Sequence, residues 1–430
     1  MGVFLCPYFV PLQTMYFLYN ILILIAANCL KIVALFNNKI RLFVEGRNET
    51  FSKLNTAISN KDQVFWVHCA SLGEFEQGRP IIEKLKLQYP THKIVVTFFS
   101  PSGYEVRKNY DLANVVCYLP LDSKKNVKQF LNVVHPQLAI FVKYEFWPNL
   151  LNELQKRKTA TILVSGIFRK DQSFFKWYGG WMRKSLAAFS HFFVQNQESK
   201  NLLESVSFQN VTLSGDTRFD RVFEITQQNN KLDFITQFKN NTYTLVAGST
   251  WKEDEDLLVN YINNQASENE KFIIAPHNIN TKAIEELKNS ISKKTVLFSE
   301  KEGKKLQDYQ VFIVDTIGIL TKIYSYANVA YVGGGYTKSG IHNVLEPATF
   351  GVPIVIGPNY AKFNEAIELV QNAACFVTDS SQKLSVLLTD FYTDNQKRDI
   401  AGANALNYVV TNKGATSKIL NYIKNEREIR

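Results

Sequence analysis

The chain has 430 residues, more than one hydrophobic core usually supports, and this length predicts two or three domains, with two as the simplest division. With 46% hydrophobic and 20% charged residues, its composition excludes an extensively disordered chain. Lys and Arg outnumber Asp and Glu by 49 to 39, and the net charge of +10 favours an anionic partner. The basic residues form no run that could follow a nucleic-acid backbone, so we expect no nucleic-acid partner and favour a membrane surface or a phosphorylated sugar.

The cysteine pattern bears on the cellular compartment. The five cysteines are widely spaced and form no CxxC or Cys/His cluster. This pattern predicts neither a zinc site nor a disulfide framework, and it is typical of a reducing, cytoplasmic compartment.

The first predicted element is an apolar helix from Tyr16 to Phe36, close to the roughly 20 residues that cross a bilayer. Four polar side chains share one narrow stripe of this helix: Asn20, Asn28, Lys31 and Asn38. The pattern therefore leaves four arrangements open: a membrane-spanning helix, an interfacial helix, a helix that packs against the rest of the protein, and a buried core helix. Basic residues between 39 and 47 follow the segment and predict that the remaining chain lies on the cytoplasmic side. Met15 provides an alternative start.

Beyond residue 60, short apolar runs alternate with amphipathic stretches. The predicted strands are residues 64–70, 93–99, 115–120, 137–142, 160–166, 191–196 and 211–215 in the first half, and 243–248, 271–276, 310–315, 329–334 and 352–357 in the second. Continuous apolar runs are typical of buried parallel strands, and their alternation with helices predicts βαβ units. We therefore predict an α/β protein with two doubly wound Rossmann-like domains that face a central cleft.

A polar, Asn/Gln-rich stretch from Ile225 to Thr242 has the composition of an interdomain linker. The expected division is a hydrophobic membrane-associated segment 1–45, an N-terminal domain 46–235 and a C-terminal domain 236–430, whose last helix is a candidate to pack back on the N-terminal domain. Ligands of such folds bind at the carboxyl ends of the strands, so we expect the motifs there.

The strand 64–70 leads into Ser71 and Glu74, which have two interpretations. Ser71-x-x-Glu74 has the spacing of a capping box, in which Glu74 bonds back to the Ser71 amide. Alternatively, Glu74 is a general base that takes a proton from an acceptor hydroxyl, kept ionised by the helix N-terminus. Spacing alone does not separate the two. His68, at the end of the same strand, is typical of a core histidine.

The strand 243–248 also leads into a helix with capping-box spacing, Thr250-x-x-Glu253. The small residues Ser249 and Thr250 leave backbone amides open, and a helix N-terminus with open amides attracts phosphate or carboxylate. The acidic run 253–256 is interpreted as a solvated first helical turn, because acidic residues there complement the helix dipole, and no metal site is predicted.

The stretch 329–358 combines a strand, the glycines around Gly334, and a second strand. Between the strands, Gly340, His342 and Asn343 are predicted to open a helix that carries Glu346. Glycines permit close backbone approach, the helix start can hold a phosphate, and a carboxylate one turn later can bind ribose hydroxyls. The pattern predicts a nucleotide site, although it matches neither the Rossmann nor the P-loop consensus.

Six ordered motifs share one resemblance: HCASLGEF (68–75), EFWPN (145–149), SGDTRFD (214–220), AGSTWKEDE (247–255), DTIGIL (315–320) and GIHNVLEPA (340–348). They resemble the 3-deoxy-D-manno-octulosonate (Kdo) transferases of Gram-negative bacteria, over a stretch from about Tyr16 to near the C-terminus. The resemblance implies a GT-B fold and transfer of Kdo from CMP-Kdo to the lipid A precursor, an early step of lipopolysaccharide biosynthesis at the cytoplasmic face of the inner membrane. It also implies an inverting, metal-independent reaction with no cofactor besides the CMP-Kdo donor.

By the same resemblance, Glu74 is the catalytic base, and Glu145 and Arg218 are auxiliary charged residues. The implied CMP-binding residues are Pro276 and His277, then Ile317, Gly318 and Ile319, then Asn343, Val344, Leu345 and Glu346. The chain departs from the family pattern at three positions: His277, where arginine is frequent, Lys143, where an acidic residue is common, and Arg218, where lysine is usual.

The expected mechanism is a single displacement in which Glu74 deprotonates a primary hydroxyl of the glucosamine disaccharide. Arg218 and the helix start at Ser249 and Thr250 would offset charge on the departing phosphate or on the sugar carboxylate. Two alternatives remain: another nucleotide-sugar enzyme of the same architecture, such as a UDP-sugar transferase or epimerase, and a non-catalytic membrane scaffold. The oligomeric state and the number of sugars transferred stay open.

Overall fold

The computed structural model describes residues 12–428, so Cys6 and most of the stretch before Met15 lie outside the described residues. The chain divides into two compact units: the residues up to Asp220 together with those from Gly414, and Arg221–Lys413. The division therefore falls before the boundary near 235 that the sequence indicated. The polar stretch after Ile225 does not act as a linker, because it carries Ile235 and Phe238, which are fully buried in the core of the second unit.

The first unit is built on a sheet of seven parallel strands: β1 (Val64–Cys69), β2 (Lys93–Phe98), β3 (Val115–Tyr118), β4 (Leu138–Val142), β5 (Ala160–Gly166), β6 (His191–Val194) and β7 (Val211–Leu213). Their order is β3-β2-β1-β4-β5-β6-β7, and each observed pair is parallel. The helices are α1 (Leu12–Val33), α2 (Asn38–Glu45), α3 (Thr50–Ala57), α4 (Leu72–Gln88), α5 (Pro101–Arg107), α6 (Lys124–Val134), α7 (Pro148–Lys156), α8 (Gly180–Leu186) and α9 (Gln197–Ser205), with a 3-10 turn at Ser173–Phe175. The division between the units, after Asp220, falls within α10 (Thr217–Thr226).

The second unit repeats this plan with β8 (Tyr243–Thr250), β9 (Glu270–Pro276), β10 (Thr295–Leu297), β11 (Val311–Ile313), β12 (Val329–Val332), β13 (Ile354–Ile356) and β14 (Cys375–Val377). Their order is β10-β11-β9-β8-β12-β13-β14, again with parallel pairs. Its helices are α11 (Asp233–Lys239), α12 (Lys252–Asn264), α13 (Thr281–Ser290), α14 (Leu320–Ile323), α15 (Leu345–Ala348), α16 (Asn364–Gln371), α17 (Ser381–Thr393) and α18 (Asn395–Asn412), with 3-10 turns at Phe298–Glu300, Leu306–Asp308 and Tyr324–Tyr326. The last helix, α19 (Ala415–Glu428), belongs to the first unit and packs on α4.

These sheets confirm the predicted α/β fold with two doubly wound domains. Strand β1 illustrates the layering: all six of its residues are buried, and neighbouring side chains point to opposite faces of the sheet. Val64 and Trp66 belong to the core cluster on one face, whereas Phe65 and Val67 belong to the cluster on the other. Helices therefore cover both faces of the sheet, as continuous apolar strands require.

Helix α1 presents an apolar surface that the rest of the protein does not cover. Among the described residues, Thr14–Val33 is the one helical stretch long and apolar enough to cross a membrane, with a mean hydropathy of 1.8. None of this stretch is buried, so the buried core helix is wrong. Tyr16 and Tyr19 pack against Trp181 at ring distances of 5.7 and 6.0 Å, while Phe17, on another side of the helix, is 64% exposed. One face of α1 therefore packs on the first unit and the other is open.

Asp220 fixes the start of α19, since its carboxylate accepts hydrogen bonds from the Gly414 and Thr416 amides. Asp220→Ala should lower the free energy of unfolding of the first unit by about 1–2 kcal/mol, the usual cost of a lost helix cap. Urea unfolding would measure this loss. Asp111→Ala removes an exposed aspartate of the same unit and is the matched control. Equal stability of the two variants would contradict the prediction.

Candidate functional site

Glu74 lies in the first turn of α4, immediately beyond the carboxyl end of β1. The Ser71 side chain makes no capping bond to the helix backbone; its hydroxyl donates to the Glu74 carboxylate instead. The Ser71 hydroxyl therefore does not accept the backbone hydrogen bond of a capping box, because it donates to the Glu74 carboxylate. The Glu74 side chain is partly exposed and is oriented by Ser71 at a helix N-terminus.

Glu145 forms a pair with His68, a residue that the sequence placed in the core. His68 is fully buried; its Nε2 lies 3.1 Å from Glu145 Oε2 and its Nδ1 lies 2.8 Å from the Thr97 hydroxyl. The same Glu145 oxygen accepts a bond from the Trp147 indole N–H at 2.8 Å. Glu145 is thus held by two side chains, one from β1 and one from its own loop.

The carboxylates of Glu74 and Glu145 are close enough to act on the same neighbouring group. Burial raises the pKa of the Cys69 thiol, and the charges of Glu74 and Glu145 both raise it further. Burial also raises the pKa of the Tyr144 hydroxyl, Arg169 and Arg218 lower it, and Glu74 raises it. The end of β1, the loop after β4 and the segment that carries Arg218 therefore meet around Glu74.

Arg218 is held by Asp216, which is itself tied to α4. Asp216 is 5% exposed and accepts bonds from the Arg218 amide at 2.9 Å and the Arg218 Nε at 2.8 Å. The Gln77 side chain, one turn after Glu74, donates to the same carboxylate at 2.9 Å. The Thr217 hydroxyl donates to the Gln77 carbonyl at 2.6 Å. These bonds fix the guanidinium relative to the helix that carries Glu74.

Lys143 stands in the left-handed region of the backbone, with φ of 65°. A lysine in this conformation is uncommon and strained, and such residues cluster at functional sites. Its ammonium group lies 5.8 Å from the centre of the Tyr144 ring. Lys143, one of the three positions that differ from the family pattern, therefore lies two residues before Glu145.

In the second unit, Asp254 organises the corresponding strand ends. Its side chain is fully buried and accepts bonds from the Trp251 amide at 2.9 Å, the Gly334 amide at 2.8 Å and the Tyr331 hydroxyl at 2.7 Å. Burial raises its pKa, and the three donors oppose that rise. Asp254 therefore connects the start of α12 to the glycine-rich turn after β12.

This arrangement corrects two predictions for the second unit. The N-cap of α12 is Trp251 and the carboxylate that returns the bond is Asp254, one residue beyond the predicted Thr250–Glu253 pair. The acidic run is not a uniformly solvated turn: Asp254 and Glu255 are buried, and the Thr250 hydroxyl donates to Glu255 at 2.9 Å. Among residues 12–428, no group of three His, Cys, Asp or Glu side chains could hold a metal ion.

Trp251, His277 and His342 form a stack of aromatic rings. His277 lies 4.8 Å from Trp251 and 4.3 Å from His342, with nearly parallel planes. The Trp251 indole N–H donates to His342 Nε2 at 3.0 Å. Because an indole nitrogen only donates, His342 must carry its proton on Nδ1. Burial lowers the pKa of His342 to about 4, with a further contribution from His277, so this ring is neutral at pH 7.

Glu346 lies near the turn formed by residues 317–319. It accepts bonds from Thr321 at 2.9 Å and from Asn343 at 3.1 Å. Burial raises its pKa, whereas these two donors and Arg221 lower it. Gly318, with φ of 91° and open space around it, leaves that turn accessible. The Glu346 carboxylate thus has two hydrogen-bond donors and lies near an exposed backbone turn.

Of the remaining predicted CMP-binding residues, some are at least partly exposed and two are buried. Pro276 and Ile319 are half-buried, Ile317 is exposed, and Ser249 has φ of 53°. Val344 and Leu345 are buried, so only their backbones could contact a ligand. The helix that carries Glu346 begins at Leu345, later than the predicted start at residues 340–343. It covers only Leu345–Ala348 and offers no extended helix N-terminus for a phosphate.

The glycines of the turn after β12 allow contacts within the protein. A Cβ at Gly333 would lie 2.5 Å from the Ser249 carbonyl, and one at Gly334 would lie 2.5 Å from the Gly340 carbonyl. Gly334 and Gly340 also have φ of 92° and 83°. These residues are therefore required for the close packing of the turn against the end of β8 and against itself.

Sequence reasoning did not identify His68, Trp251, Asp254 or Thr321 as parts of the site. His68, Trp251 and Asp254 lie at the carboxyl end of a strand or within four residues of it, which is the signal that could have found them, whereas Thr321 lies in α14. Their partners are distant in sequence: Glu145 for His68, His342 for Trp251 and Gly334 for Asp254.

Known proteins of similar sequence are described as Kdo transferases. Residues 45–221 match the family model described as 3-Deoxy-D-manno-octulosonic-acid transferase (kdotransferase). A 3-deoxy-D-manno-octulosonic acid transferase of Aquifex aeolicus (strain VF5) is 29% identical over 360 residues, which cover 80% of this chain and 93% of the relative. A protein of the same description from Rickettsia bellii (strain RML369-C) is 26% identical over 84% of this chain and 87% of the relative.

Solved structures share the architecture at low identity. The UDP-GlcNAc 2-epimerase from Neisseria meningitidis has a TM-score of 0.57 and 13% identity, covering 84% of this chain and 100% of that chain. MurG of Acinetobacter baumannii has a TM-score of 0.53 and 10% identity, covering 85% and 99%. These likenesses concern the fold alone.

Two doubly wound domains define a GT-B type fold, and the family model and the curated relatives indicate a glycosyltransferase. Within that class the matches are more specific. The chain is similar over most of its length to proteins described as Kdo transferases, and residues 45–221 match the model of that family.

The stack predicts an unusual titration of His342. Its ring should stay neutral between pH 5 and 8 and titrate near pH 4, because protonation would bury a charge and break the bond from Trp251. Its contribution to stability is therefore fully present above about pH 6.5 and is lost as the pH falls towards 4. NMR of labelled histidine, assigned with His342→Asn, would measure the midpoint. Trp251→Phe should raise that midpoint, and a wild-type midpoint above 6 would contradict the prediction.

Proposed function

We propose that this enzyme transfers Kdo from CMP-Kdo to the lipid A precursor by a single, inverting displacement that requires no metal ion. The observation that carries this proposal is the placement of Glu74: a partly exposed carboxylate, oriented by Ser71 at the carboxyl end of β1, beside the segment that holds Arg218. The descriptions of the family and of the relatives supply the sugar. The resemblance to this family supplies the expected donor and the lipid acceptor.

In the proposed step, the acceptor hydroxyl oxygen attacks the anomeric carbon of Kdo and its proton passes to Glu74. The new C–O bond forms as the bond from the anomeric carbon to the phosphate oxygen breaks, and that electron pair leaves with CMP. A single displacement inverts the anomeric configuration. Arg218, fixed by Asp216, would offset negative charge that develops at the reacting groups. Glu145 is proposed as an auxiliary charged residue, paired with His68.

The second unit is proposed to bind the CMP-Kdo donor. Glu346 accepts one bond from Thr321 and one from Asn343, which leaves each carboxylate oxygen able to accept a further bond from a ribose hydroxyl. The exposed turn at residues 317–319 would provide backbone contacts to the nucleotide. His342, with its proton on Nδ1, can donate to an anionic or carbonyl oxygen of the donor. The Thr250 hydroxyl is engaged by Glu255, so the Ser249–Thr250 segment would contribute through its backbone.

The proposed location is the cytoplasmic face of the inner membrane. The exposed side of α1 is apolar, with Phe17, Leu22 and Leu24 each at least 59% exposed. Lys31, Lys39 and Arg41 are exposed at and after its end and could contact anionic headgroups. A lipid acceptor and an apolar helix on the unit that carries Glu74 are consistent with each other.

Glu74→Gln should reduce turnover by at least 100-fold while CMP-Kdo still binds, because the amide cannot accept the hydroxyl proton. Glu83→Gln, on the same helix and paired with Arg79, is the matched control and should retain turnover within twofold. CMP release in the presence of lipid acceptor and EDTA would measure turnover, and calorimetry would measure donor binding. Near-normal turnover of Glu74→Gln would remove Glu74 as the base, and loss of wild-type turnover in EDTA would refute the metal-independent step.

Glu346→Gln should raise the KM for CMP-Kdo by about 10- to 100-fold with kcat within a few-fold, since a hydrogen bond to a charged group contributes about 1.5–3 kcal/mol. Steady-state kinetics at saturating acceptor would measure both constants.

The same assay with UDP-sugars as donors distinguishes Kdo transfer from the alternative, a UDP-sugar enzyme. Turnover of a UDP-sugar in place of CMP-Kdo would contradict the proposed donor, as would an unchanged KM in Glu346→Gln.

A further inference from the structure

Asp122 is a buried carboxylate behind the loop that carries Glu145. It follows β3 and is 3% exposed. Its two oxygens accept bonds from the Asn149 amide at 2.9 Å, the Leu150 amide at 2.9 Å and the Tyr19 hydroxyl at 2.8 Å. Two of these donors belong to the first turn of α7 and the third belongs to α1, so one carboxylate joins both helices.

Helix α7 depends on Asp122 because it has no cap of its own. Its N-cap residue is Trp147, whose side chain makes no capping bond. The first amides of a helix have no partner within the helix and need an acceptor from elsewhere. Asp122 supplies that acceptor from a distant segment. Since Trp147 directly precedes α7 and donates its indole N–H to Glu145, the position of α7 also sets the position of that bond.

Helix α1 reaches the same point through further polar contacts. Asn20 accepts a bond from the Asn149 side chain at 3.0 Å, and the Tyr16 hydroxyl accepts one from Asn152 at 2.7 Å. A helix that only anchored the protein in a membrane would not need polar partners on the catalytic unit. These contacts instead dock the first turns of α1 against α7. Burial raises the pKa of Asp122 to about 6, and its three donors oppose that rise and stabilise the carboxylate.

We propose that Asp122 is a positioning residue for the transfer reaction: it couples the docking of α1 to the placement of Trp147 and Glu145. The proposal rests on the proposed function, because it assigns Glu145 to the reacting site. It makes the apolar helix part of the active structure as well as an attachment to the lipid surface. Tyr19 and Asp122 act through Glu145 and need not touch the substrates.

Tyr19→Phe removes one donor from Asp122 and leaves the packing on Trp181. We expect kcat to fall three- to tenfold, with the KM for CMP-Kdo within twofold, because the donor is bound by other residues. Asn28→Ala, on the same helix, removes an exposed side chain that bonds only to the Leu24 carbonyl of α1, and it should stay within twofold of wild type. Wild-type kinetics in Tyr19→Phe, or equal losses in the two variants, would overturn the proposal.

A double-mutant cycle separates positioning from a general loss of stability. In a Glu145→Gln background, Tyr19→Phe should change kcat by less than twofold, because the residue through which it acts is already altered. An undiminished effect of Tyr19→Phe in that background would show that it does not act through Glu145 and would overturn the proposal.

A spectroscopic measurement tests the same coupling without any activity. With fluorinated tryptophan at its five tryptophan positions, the full-length protein should show a shifted Trp147 signal in Tyr19→Phe and an unshifted one in Asn28→Ala, with Trp147→Phe giving the assignment. An unshifted Trp147 signal in Tyr19→Phe overturns the coupling even if Kdo transfer is confirmed. Absence of Kdo transfer in the wild type with a shifted signal refutes the proposed function and leaves the coupling supported.

Discussion

Every observed strand pair in both sheets is parallel, so the loops that carry chemistry all leave from the carboxyl ends of their strands. The strand ladder does not extend into these loops, and each needs another attachment. Three buried aspartates provide it. Asp122 holds the start of α7, Asp216 holds Arg218 against α4, and Asp254 holds the glycine-rich turn against α12. The arrangement of both candidate sites depends on these carboxylates.

Burying an aspartate is costly unless its oxygens are satisfied, and each of these three accepts at least three hydrogen bonds. Burial raises the pKa values of Asp122 and Asp254 despite these bonds, because desolvation still disfavours the charged carboxylate. Networks of this kind are favourable only when every member has its partners, and they then hold a loop in one position. The buried aspartates cost folding free energy, and in return they fix the positions of Glu145, Arg218 and the turn around Gly334. Electrostatic catalysis requires such preorganised groups.

The sequence predicted the central strands well because a strand buried on both faces is a continuous apolar run, as in β1 and β9. It missed β10 and β14, which are three-residue strands at the two edges of their sheet and carry little pattern. The acidic run after Trp251 was misinterpreted for a different reason. Asp254 is indistinguishable from a solvated helix-start aspartate until the Gly334 amide, 80 positions away, is placed against it. The two interpretations of Glu74 could not be separated because the choice depends on where the Ser71 hydroxyl points.

We propose that Glu74 takes a proton from a lipid hydroxyl as Kdo leaves CMP. Mass spectrometry of the lipid product, after incubation of the purified full-length enzyme with CMP-Kdo and the lipid A precursor, tests it most directly. We expect a lipid whose mass increases by one or more Kdo residues with the wild type, and an unchanged lipid with Glu74→Gln. A Kdo-bearing lipid formed at a comparable rate by Glu74→Gln, or an unmodified lipid with the wild type, would contradict it.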